Sequence, residues 1–141
     1  MMSTAEASPV PKRLSAYIGG FMGVSYGVEL HKDTLTHTTF DAGHSNPQHA
    51  TITPTAAQWR EFRRTLADLN LWQWHTEYPN PGTMDGTQWS LDIAYADRAL
   101  KTHGDNSYPD ANGNLNGNPS PTKAFKRYLA SVKKLTVKSF Q

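Results

Sequence analysis

Twice along this chain, a run whose apolar residues fall at every second position gives way to one in which they recur every three or four. A period of two belongs to a strand with one face buried, and a period of three to four belongs to one stripe of a helix. A chain that alternates the two must build a sheet and lay helices against it, so the periodicity alone points to an α+β fold.

In the first unit Val24, Tyr26, Val28 and Leu30 alternate with Ser25, Gly27, Glu29 and His31. Lys32-Asp33 is a turn candidate, and a tight hairpin there sets Leu30 opposite Leu35 and Val28 opposite His37. Upstream, Leu14 to Ile18 can add a further strand, with Gly19, Gly20 and Gly23 as a bend or bulge. Asp41 to Ile52 is polar and carries Gly43, Asn46 and Pro47, which reads as a loop. Thr53-Pro54 or Thr55 then opens a helix whose stripe is Trp59, Phe62, Leu66 and Leu69.

In the second unit the period returns to two after Asn70, predicting a strand over 70–78 with Trp72, Trp74, Thr76 and Tyr78 on one side. A hairpin follows: Trp89, Leu91, Ile93 and Tyr95 alternate, Ala96-Asp97 turns, and Leu100 returns opposite Ile93. Residues 105–120 form a long Asn/Gly/Pro loop. The last element opens at Ser120-Pro121-Thr122 and carries the stripe Phe125, Leu129, Val132 and Leu135. Hairpin, loop and Pro-capped helix thus occur twice, a duplicated ββα plan: an antiparallel sheet of two hairpins plus one or two extra strands, with two helices packed on one face. The expected organisation is a disordered N-terminal segment over 1–13 and a single domain over 14–137. Four Trp, six Tyr and five Phe supply its buried area. The expected core holds Trp59, Phe62, Leu66, Leu69, Trp89, Leu91, Ile93, Phe125, Leu129 and Val132.

The runs Tyr78-Pro79-Asn80-Pro81-Gly82, Asp85-Gly86-Thr87-Gln88-Trp89-Ser90-Leu91 and Gly104-Asp105-Asn106-Ser107-Tyr108-Pro109 resemble small bacterial families of unknown function. In those families a glycine-rich first strand precedes a Pro-capped helix and a second hairpin. The likeness spans about residues 14–137 and implies the fold; it implies no activity.

Chemistry is constrained first by what the sequence lacks. With no cysteine, disulfides, thiolate metal sites and cysteine nucleophiles drop out together. Gly23-Val24-Ser25-Tyr26-Gly27 spells the serine-hydrolase elbow, but the elbow needs a strand, a sharp turn and a helix, whereas these residues lie within one alternating run. The six histidines, His31, His37, His44, His49, His75 and His103, form no H-x-x-x-H pair. Asp110, Asn112 and Asn114 begin like a calcium loop, yet Leu115 and Pro121 stand where the turn glycine and the bidentate glutamate belong. Asp85, Asp92, Asp105 and Asp110 are the one concentration of acids, and turn chemistry accounts for them. The expectation is no catalytic residue, no metal and no cofactor.

Charge is uneven. Residues 111–141 carry Lys123, Lys126, Arg127, Lys133, Lys134 and Lys138 and no acid, while residues 1–110 carry eight bases against twelve acids. No window approaches the ~18 apolar residues of a membrane span, and the N-terminal stretch lacks the order of a secretory signal, so a cytoplasmic protein is expected. The functional expectation is a non-catalytic protein-binding module such as an inhibitor, an immunity-like protein or an accessory subunit of a bacterial complex. Its expected surface is formed by the loop residues Tyr78, Asn80, Asp85, Gln88, Asp105, Asn106 and Tyr108. The alternatives are a nucleic-acid-associated module using Lys123, Lys126, Arg127, Lys133 and Lys134, and a hydrolytic enzyme of unrecognised type.

Overall fold

The computed structural model describes residues 9–20, 23–42, 45–79, 87–114 and 121–140. Its seven strands are β1 (Arg13–Gly19), β2 (Ser25–His31), β3 (Thr34–Asp41), β4 (Ser45–Ile52), β5 (Glu77–Tyr78), β6 (Gln88–Ala94) and β7 (Ala99–Asp105). They form one sheet in the order β4-β3-β2-β1-β6-β7-β5, antiparallel except for the β5–β7 pair. The helices α1 (Ala56–Asp68) and α2 (Lys123–Thr136) share one core with one face of the sheet. β1 stands between the hairpins β2–β3 and β6–β7 and joins them. Both helices begin on a threonine that follows a proline. Thr55 Oγ1 accepts the Gln58 N–H at 3.1 Å while the Gln58 side chain accepts the Thr55 N–H at 2.7 Å. Thr122 Oγ1 accepts the Phe125 N–H at 3.1 Å.

The hairpin registers are those expected, with Leu30 opposite Leu35, Val28 opposite His37 and Ile93 opposite Leu100. Cross-strand pairing strings the inward side chains into rows. One runs Gln48, Thr39, Tyr26, Ile18, Trp89, Gly104, Tyr78; the next runs Ala50, His37, Val28, Ala16, Leu91, Thr102. Each row is apolar in the middle of the sheet, where the helices cover it; the first turns polar at Thr39 and Gln48 and the second at His37. All ten expected core residues are buried. The centre is an aromatic hub in which Trp89 lies 4.8 Å from Phe125, 5.7 Å from Tyr78 and 6.0 Å from Trp74, ring centroid to centroid. The core runs on past the second helix to Phe140, 1% exposed. At the other end residues 1–8 lie outside the described ones, and the Lys12 N–H already bonds the Ala94 carbonyl at 2.7 Å.

Two expectations are corrected. Residues 41–52 are not a loop throughout, because Ser45–Ile52 pairs along β3 as the edge strand β4. Neither face of β4 is well covered, so it needs no apolar alternation and shows none. Residues 70–78 are not one strand either. Asn70 takes a left-handed conformation at φ 55°, Leu71–Gln73 form a 3-10 turn, and only Glu77–Tyr78 pair, parallel to β7. The residues buried there are Leu71, Trp74 and Tyr78, a spacing of three to four that feeds the hub and defeats a period of two. No helix among the described residues is long and apolar enough to cross a membrane.

Candidate functional site

The helices stop short of the β3–β4 side of the sheet. Between that uncovered shelf and the end of α2 lies a groove of about 560 Å³, lined by Tyr26, His37, Thr39, Gln48, His49, Ala50, Lys133 and Val137 together with the Lys138-Ser139 segment. Sheet register places the floor, because Tyr26, Thr39 and Gln48 belong to one inward row and His37 and Ala50 to the next.

The wall is built by the way α2 ends. Val137 caps the helix at φ 56°, its N–H bonded to the Lys133 carbonyl at 2.8 Å. Thr136 Oγ1 then accepts the Lys138 N–H at 3.2 Å, and the His37 Nε2–H donates to the Ser139 carbonyl at 2.7 Å. Phe140 drops into the core beside Tyr128. The tail is thereby bent back over the sheet, holding Lys133, Val137 and Lys138 at the rim. Val137 is unusual twice over. A β-branched residue at positive φ is strained, and the residue is 76% exposed, so it gains little burial in return. A left-handed residue is an ordinary way for a helix to end; what is unusual is a valine there in place of glycine or asparagine.

The cations of α2 divide into two sets. Lys134 reaches across to α1 and bonds Glu61 Oε1 at 2.8 Å, an interaction that holds the Glu61 carboxyl below the usual range. Among the described residues no acid lies within ion-pair distance of Lys123, Lys126, Arg127, Lys133 or Lys138. Lys133 also sits in the favourable last turn of the helix dipole.

The loop residues named from sequence are dispersed in role. Tyr78 and Tyr108 are 1% and 2% exposed. The Tyr78 hydroxyl accepts the His75 N–H at 2.9 Å and donates to the Gly113 carbonyl at 2.6 Å, and burial pushes its pKa up. Tyr108 packs on Phe125 at 4.8 Å. Gln88 and Asp105 are exposed and paired at one sheet end, and Asn106 beside them turns the chain at φ 49°. Asn80 and Asp85 lie outside the described residues.

Ser25 is fully buried at the start of β2, accepting a hydrogen bond from the Tyr17 hydroxyl at 3.1 Å, and β2 runs on to a hairpin with no helix after it. The Asp110 carboxylate accepts the N–H groups of Asn114 and Asn112 at 2.9 and 2.8 Å, which lowers its pKa and closes the loop on itself. Among the described residues no three His, Asp or Glu side chains converge as metal ligands. Sequence reasoning missed Tyr26, Thr39, Gln48 and Val137. Only the placement of His37 on the inward side of its hairpin hinted at them.

No family model matches this chain, and no curated protein is detectably similar to it.

Proposed function

We propose that this chain is a non-catalytic, cytoplasmic protein-binding module whose recognition surface is the groove between the end of α2 and strands β2–β4. The carrying observation is Val137, held in a costly left-handed conformation with its side chain presented to solvent between Lys133 and Lys138. A side chain that strains the backbone and packs against little is accounted for by a partner that packs against it. The flanking lysines supply an electropositive rim to orient that partner. The exposed Gln88 and Asp105 extend the same reading to a second contact area.

The test is capture of partners by the tagged chain in native lysate, with and without nuclease, beside two variants. K133E/K138E should retain its fold and lose about tenfold or more in affinity for a nuclease-resistant partner. V137G should gain about 0.5–1 kcal/mol of stability, since glycine adopts this conformation without strain, and should bind less well. A partner captured equally by both variants would put the surface elsewhere. A second reading, nucleic-acid association, draws on Lys123, Lys126 and Arg127 along α2, which have no acid within ion-pair distance among the described residues. Capture abolished by nuclease and by K126E/R127E, with a steep salt dependence, would favour it.

A further inference from the structure

The groove has an open side. β4 is an edge strand of eight residues that among the described residues pairs with β3 alone, so one row of its backbone N–H and C=O groups faces away from the sheet. At the opposite edge the two-residue strand β5 pairs with only His103 and Gly104 of β7, and the rest of β7 carries the charged Lys101. Edges are ordinarily blunted by charge, proline or a bulge. β4 carries no Asp, Glu, Lys or Arg; its proline, Pro47, sits with the left-handed Asn46 at a bulge, and the regularly paired stretch Gln48 to Ile52 beyond it has neither charge nor proline.

We infer that the partner docks as an added strand on β4, and that the docking segment is extended and acidic at alternate positions. This rests on the groove being the recognition surface. Alternate side chains of an added strand point to one face. Those on the inner face continue the rows that end in Gln48 and Ala50, and so extend over the groove toward Lys133 and Lys138. Carboxylates there meet two cations that have no acid within ion-pair distance among the described residues. Charge also argues against a second copy as occupant, because antiparallel pairing of two β4 edges brings two such lysine pairs into one continuous groove.

The experiment titrates the isotope-labelled full chain with an eight-residue peptide alternating Thr and Glu. Comparison peptides are one of the same composition with Glu in adjacent pairs, one with Lys replacing Glu, and two N-methylated on odd or on even residues. The expected result is shift changes centred on Gln48 to Thr51, Lys133 and Lys138. Slowed amide exchange in β4, loss of binding with one N-methyl register and with the Lys peptide, and about tenfold weaker binding by K133E/K138E should accompany them. Binding indifferent to N-methylation, shifts centred on Lys123 to Arg127, self-association through β4, or no binding at millimolar peptide would each overturn the inference. If the peptides fail while K133E/K138E still loses a captured partner, the groove remains the recognition surface and strand addition alone is wrong.

Discussion

Trp89→Ala should cost about 3–5 kcal/mol of folding stability, a large part of the ~5–15 kcal/mol that a domain possesses. Trp89 is a sheet residue whose ring packs directly on Phe125 of α2. It is 2% exposed, its ring contacts Trp74, Tyr78 and Phe125, and its Nε1–H donates to the Ser107 carbonyl at 2.9 Å. Truncation opens a cavity whose walls are rings already fixed by one another, and it leaves a buried carbonyl short of a donor. Urea unfolding should show a lower midpoint with the slope unchanged. A loss near 1 kcal/mol would mean that the hub collapses onto the gap and does not organise the core.

Gly104→Ala should be nearly as damaging, at about 3 kcal/mol, from a single added methyl. A Cβ at Gly104 would stand 2.3 Å from Trp89 Nε1 and 2.6 Å from the Ser107 carbonyl oxygen. The first neighbour is locked in the hub and the second is backbone. The clash is specific, so it can be relieved specifically. In a Trp89→Leu background the same Gly104→Ala change should cost at least about 1 kcal/mol less, measured as a coupling energy from the four proteins. Additive losses would show that Gly104 is needed for some reason other than room for the indole.

The hub also shows where the sequence is readable. Trp89, Leu91 and Ile93 alternate in a strand with one dry face and one wet face, and such a strand writes its register into its residues. The same holds for the β2–β3 hairpin and for the stripes of both helices. β4 has water on both sides and therefore no pattern to read. The 70–78 segment was misleading for the opposite reason, since Leu71, Trp74 and Tyr78 answer to a three-dimensional cluster and not to the geometry of one element.

The groove was illegible because it is a property of coverage. Nothing in Thr39 or Gln48 says how far two helices reach over a sheet. The cation stripe of α2 was visible as an amphipathic pattern, but the pairing that removes Lys134 from it depends on Glu61, 73 residues away. Tyr78 and Tyr108 read as recognition residues in sequence and lie in the core, Tyr78 at the end of β5 and Tyr108 in the segment after β7.

The most direct measurement is amide hydrogen exchange on the chain with and without its captured partner. The groove reading requires slowed exchange at Tyr26, at Thr39, across Gln48 to Thr51 and across Lys133 to Ser139, with the outer-face residues Ser15, Ser90 and Asp92 unchanged. Protection confined to the outer face, or to Lys123 through Arg127 with the groove unaffected, would contradict it.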